Sequence, residues 1–203
     1  IIHSMPFRNL AKKTLLYNYS LAGDIPFRSP LTQTMEVMSL ASSMAEEARL
    51  NDRLTTAIAL GHFLGAPVFG RLGREVLNEH ASKLGITDFP SSLLSLYLVS
   101  RGNQGYDHQG LNLTVEVRDG LLHCVDSEIN PHLDRSVDKD DRIVCRKYPD
   151  TLEGCLVKAV LEVARCSQAL DDILLSESLS GESIERILKA PIFHRIPIAR
   201  DIL

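Results

Sequence analysis

Apolar residues recur at steps of three and four along most of this chain, the period of helices that bury one face. Leu31, Met35, Val37, Met38, Ala41, Met44, Ala45 and Ala48 follow that rule between Leu31 and Leu50. Ser29 supplies an N-cap and Pro30 a first-turn proline, so the spacing predicts a helix entered there. A second run covers Asp52 to Leu64 and stops at Gly65-Ala66-Pro67, because proline disfavours helix in the residue before it. Together they read as a helical hairpin. Residues 71 to 84, closed by Gly85, the very apolar Ser91 to Ser100, and Leu111 to Cys124 predict three more helices. Asp150 and Glu153 read as a capping-box pair ahead of Leu152, Leu156, Val157, Val160, Leu161, Val163 and Ala164, the strongest long helix and the expected centre of the core. A last short helix is expected over about Gly181 to Lys189, stopped by Pro191. No stretch alternates in the manner of a strand, so the fold class is all-α.

The segments between these runs are polar. Asn103 to Gly110 is rich in glycine, amides and charge, which suits an irregular loop carrying functional groups. Asp126 to Tyr148 mixes acidic residues with Arg and Lys and has few large apolar groups, which suits an exposed loop. At 203 residues and 44% hydrophobic, the chain supports one sizeable core, and a single domain over 1–203 is expected. A net charge of -4 gives no general electrostatic reason to expect nucleic acid or an anionic membrane as partner. Apolar stretches such as Leu93 to Val99 are far shorter than the roughly 20 residues of a membrane span. Cys124, Cys145, Cys155 and Cys166 lack the close pairs of a zinc ribbon, and with no signal peptide in view they are expected to be buried free thiols of a cytoplasmic protein. The first residue, Ile1, and the amphipathic stretch before Leu203 suit a piece of a longer chain.

Five motifs carry a resemblance. The opening IIHSMPFRNLAKKT holds His3-Ser4, Phe7-Arg8 and Lys13-Thr14. The long segment from FRSPLTQTMEVMSL to GHFLGAPVFGRLGREVLN follows, and then GYDHQ at 105 to 109, GLNLTVEVRDGLLHC, and TLEGCLVKAVLEVARCSQALDDIL. In this order and register they resemble the deoxynucleoside triphosphate triphosphohydrolases of the HD superfamily, the dGTPase-like enzymes. The resemblance spans residues 1 to about 175 and implies an all-α HD-domain helical bundle.

That family's chemistry, as the resemblance implies, places a histidine, an adjacent His-Asp pair and a distant aspartate around a divalent metal, which positions and polarises a triphosphate and water. Carried over position by position, the first histidine is Gln33, the pair is His62-Phe63, and the distant aspartate is Leu161. Glutamine is a weak neutral ligand, while phenylalanine and leucine offer no lone pair, so the four positions are not expected to hold metal. Phe63 and Leu161 are expected instead to face each other and fill the old cavity. Two later histidines of the motif stand as Ala66 and Arg71, an arginine before the first ligand as Pro30, and the late Tyr, His and Asp as Arg165, Gln168 and Ala169. Scaffold positions such as Leu31, Thr32, Glu36, Val37, Phe69, Gly70, Asn78, Leu152, Glu153, Asp171 and Asp172 match.

The expected function is accordingly a noncatalytic relative of these enzymes. It is expected to need no cofactor and to work through association with itself or a related HD-domain subunit, or as a regulatory subunit that binds a dNTP. His62 reads first as a satisfied core histidine, with ligand binding as its functional alternative. Asp107 and His108 occupy a position where the family places acid-base residues, and imidazole there would titrate near neutrality. Arg28, Arg71 and Arg74 form a candidate phosphate-binding set, since guanidinium groups bind phosphate oxygens in pairs. Solvation of a helix surface is the plainer account of them. Asp171 and Asp172 suit a capping or salt-bridge role. The enzyme alternative keeps phosphohydrolase activity with a divalent metal and relocated ligands drawn from His62, Asp107, His108 and Glu36.

Overall fold

The computed structural model describes residues 1–13, 29–83, 91–102, 107, 109–125 and 148–175, and of 71 and 169–175 the backbone alone. The elements are α1 (Met5–Asn9), a short 3-10 turn (Leu10–Lys12), α2 (Pro30–Glu47), α3 (Asp52–Gly61), α4 (Gly70–Lys83), α5 (Ser91–Ser100), α6 (Val115–His123) and α7 (Leu152–Leu175). The fold is all-α, with no strand among the described residues. Two compact units can be distinguished. One is Ile1–Ala164. The other is Arg165–Leu203, described over 165–175 as helical backbone. No described helix is long and apolar enough to cross a membrane. The helix expected over 181–189 and most of the 126–148 loop lie outside the described residues.

The hairpin of α2 and α3 forms as its sequence predicts. Ser29 Oγ accepts the Thr32 N–H at 3.1 Å and caps α2. At the other end the Leu50 N–H reaches the Ala45 carbonyl and the Arg49 N–H reaches that of Glu46, the paired bonds of a Schellman ending, with Arg49 at φ 56°. Asn51 Oδ1 then caps α3 through the Leu54 N–H. Helix α3 ends at Gly61, earlier than the expected Leu64, because residues 62–65 turn away as a tight loop.

Two apolar clusters hold the first unit together. One joins Phe7, Leu10, Leu64, Leu93, Leu96, Val99, Val117, Leu121 and Leu122, from α1 through α5 to α6. The second joins Val37, Ala41, Ile58, Ala59, Cys124, Val157, Val160 and Leu161, so that α2, α3 and α7 meet around the end of α6. Close approach of α3 to α6 depends on glycine. A β-carbon on Gly61 would meet the Leu121 side chain, and one on Gly120 that of Ile58.

Several positions depart from the sequence reading. Helix α6 starts at Val115, and Leu111 to Thr114 are not helical. Ahead of α7, Thr151 rather than Asp150 is the cap, its Oγ1 accepting the Gly154 N–H at 3.1 Å. Glu153 does not close a capping box but reaches across to the Asn51 N–H at 2.9 Å. Only part of the apolar pattern of α7 is core, because Leu152 and Val163 are exposed. Met35 and Met44 of α2 are exposed in the same way, and so are Leu72, Val76 and Leu77 of α4. A three-to-four residue period marks a helix face but does not say how wide a strip of it is covered. Among the described cysteines, none is in a disulfide, Cys124 is buried, Cys155 half-buried and Cys166 exposed, the last against expectation. Cys145 lies outside the described residues.

Candidate functional site

Of the four positions aligned with the metal ligands, Gln33 is on α2, Leu161 on α7, and His62 and Phe63 are in the turn that follows α3. Gln33 lies in the first turn of α2 and is buried, its N–H donating to the Ser29 carbonyl at 3.0 Å. Among the described residues its side-chain Oε1 is sealed from solvent and has no hydrogen-bond partner. Because α2 and α3 are antiparallel arms of one hairpin, the first turn of α2 lies at the same end of the pair as the last turn of α3. His62 closes that last turn and is 1% exposed. Its Nδ1 lies 2.5 Å from the Ala59 carbonyl oxygen, a contact in which Nδ1 carries the proton and donates. Its ring lies 4.2 Å from that of Phe63, centroid to centroid.

Leu161 is a core residue and Phe63 packs at the edge of another cluster, so the two do not fill one cavity. Phe63 is half-buried against the cluster of α1, α5 and α6, whereas Leu161 is 1% exposed within the cluster of α2, α3 and α7. The expectation that the two side chains face each other is thus corrected.

The loop that carries His62 is tied down on two sides. Ser95 of α5 receives the Gly65 N–H at 2.8 Å, and its hydroxyl stands 3.3 Å from the His62 carbonyl and 3.1 Å from that of Ser91. A β-carbon at Gly65 would overlap the backbone at Ser91 and Ser95, so only glycine lets the loop sit this close to α5. From the other side Lys13 Nζ donates to the Ala66 carbonyl at 2.6 Å and the Leu64 carbonyl at 3.4 Å. Burial holds this ammonium below the ordinary lysine value. Neither residue was singled out as functional in the sequence, although Lys13 stands in a matched Lys-Thr pair. Nothing in the sequence signals that its target is a loop some fifty positions away.

Other candidates stay apart. Asp107 and Glu36 are exposed. Arg28, His108 and the side chains of Arg71, Asp171 and Asp172 lie outside the described residues, and Arg74 is half-buried on α4. A second polar cluster, which sequence reasoning missed, joins α6 to α7. His123 Nδ1 lies 3.0 Å from Asp119 Oδ1, both side chains being buried. Asp119 Oδ2 accepts the Asp150 N–H at 2.8 Å, and Lys158 Nζ donates to the His123 carbonyl at 2.8 Å.

A divalent cation needs several anionic oxygens or imidazoles at one point. The four aligned positions offer one imidazole, one neutral carboxamide and two hydrocarbons. Among the described residues no group of three or more His, Cys, Asp or Glu stands close enough to hold a metal ion. These side chains do not fit the metal that the motif implies.

The chain is similar along nearly its whole length to proteins named deoxyguanosinetriphosphate triphosphohydrolase-like. That of Caldanaerobacter subterraneus is 37% identical over 191 residues, which cover 94% of this chain and 48% of the relative. That of Ralstonia pickettii is 37% identical over 92% of this chain and 46% of its own length. That of Bordetella pertussis is 35% identical over 92% of this chain and 48% of its own length. The chain therefore spans about half the length of the curated relatives it matches. No family model matches it.

Proposed function

Since this chain belongs to the dGTPase-like family of HD proteins, we propose that it is a catalytically degenerate member, a cytoplasmic protein that binds a deoxynucleotide without hydrolysing it. On this reading it acts through association with itself or with a related subunit that keeps its ligands. The observation that carries the reading is Leu161. An aspartate at that position would give the metal an anionic oxygen, but a leucine stands there, 1% exposed among Val37, Ile58 and Val160. Phe63 removes a second oxygen donor, and Gln33 exchanges an imidazole for a weaker neutral group.

The residues that remain support binding more than turnover. His62 keeps one ring nitrogen engaged by a backbone carbonyl, and its loop is held by Ser95, Gly65 and Lys13. The loop that carries His62 is thus anchored to α5 and to Lys13, while the next position, where the resemblance implies an aspartate, is Phe63. The test is incubation of the purified chain with dGTP and Mn or Mg, with release of inorganic triphosphate as the readout. No release above the protein-free control is expected, and metal-dependent release that follows protein concentration would overturn the reading.

A further inference from the structure

Gln33 is costly as it stands. A buried carbonyl oxygen without a hydrogen bond destabilises a folded protein, and apolar side chains of the same length fit such a site without that penalty. Gln33 Oε1 has no partner among the described residues and no solvent contact, although its neighbours along α2, Val37 and Ala41, are purely apolar and belong to the second cluster. Fold stability alone therefore does not account for a carboxamide here. We propose that Gln33 is a ligand-binding residue, whose carboxamide receives an N–H or O–H from the uncharged nucleoside part of a nucleotide in the absence of any metal. This rests on the nucleotide-binding reading above and adds to it which part of the nucleotide is read. The orphaned atom is the acceptor Oε1, which takes a hydrogen from a sugar hydroxyl or base amine and none from an ionised phosphate, so this atom reads the nucleoside rather than the triphosphate.

The experiment is thermal unfolding of the full chain in EDTA with three probes: dGTP, deoxyguanosine and inorganic triphosphate. A ligand selective for the folded state raises the midpoint. For the wild-type chain a rise is expected with dGTP and with deoxyguanosine. Gln33→Met, which keeps the length and removes the polar atoms, is expected to unfold at a higher temperature than wild type when no ligand is present, and to lose the deoxyguanosine rise. Gln33→Leu should repeat both results and guards against a defect peculiar to methionine. A rise of undiminished size in both variants overturns the role of Gln33 while leaving nucleotide binding intact. A wild-type rise with triphosphate but not with deoxyguanosine also overturns it. No rise with any probe overturns this inference together with the nucleotide-binding reading, whereas triphosphate release from dGTP in the separate assay would overturn only the claim of lost catalysis.

Discussion

Arg49 occupies a left-handed conformation at the end of α2, where a β-carbon costs energy that glycine avoids. Its side chain is exposed, so Arg49→Gly is expected to raise stability by roughly 0.5–1 kcal/mol, read as a higher urea midpoint with unchanged slope. Lys13 sets a pH dependence. Its ammonium is desolvated, and the folded chain releases that proton at a lower pH than the unfolded chain, whose lysine titrates near 10.5. Between those two pH values the unfolded state binds more protons, so stability from this group rises with pH, while below the folded value its burial cost is constant. Wild type should gain on Lys13→Gln in urea midpoint as pH increases toward 10.5. A constant gap over that window would contradict the assignment. Asp119 is held by His123 and by the Asp150 N–H, and its removal takes the acceptor from the half-buried Asp150 N–H and leaves His123 Nδ1 only the Asp119 carbonyl. Asp119→Ala is therefore expected to cost about 1–3 kcal/mol in chemical unfolding.

Among the elements, the turn after α3 is the most constrained. Gly65→Ala forces a methyl into the backbone of α5 and should separate the His62 loop from Ser95. The expected outcome is a fall in unfolding temperature with most of the helical circular dichroism retained. The α2–α3 hairpin was legible because its signals are local: Ser29 and Pro30 at one end, Asn51 in the turn, and apolar residues at helical spacing between them. The start of α6 and the cap of α7 were misread because polar residues at either end offer several registers that differ by one or a few hydrogen bonds. Legibility fell further wherever a partner is distant in sequence. Glu153 looked like a local capping residue and instead binds Asn51. The Asp119–His123 pair looked like ordinary helix composition, since a four-residue spacing gives no hint that both side chains are buried. For the candidate site, the residue types at the four positions were readable from the sequence, but the separate destinations of Phe63 and Leu161 depend on helix packing.

At the scale of the first unit, Phe63 and Leu161, two positions that the resemblance aligns with metal ligands, belong to two different cores. Returning a carboxylate to one of them should unfold more than it repairs. Leu161→Asp introduces an unpaired charge into an apolar cluster and removes a large buried side chain, for an expected loss of about 3–5 kcal/mol, measurable in guanidinium. Phe63→Asp should cost less, since Phe63 is only half-buried and its replacement can reach water. The two side chains belong to different clusters that have Leu54 in common at their edges, and residues with few shared partners contribute nearly independently. A double variant should therefore lose close to the sum of the two single losses. On the proposed reading, an ion site divided in this way has no privileged order of decay. Either substitution could have come first and been tolerated by its own surroundings, and the path back is steep on one side and shallow on the other.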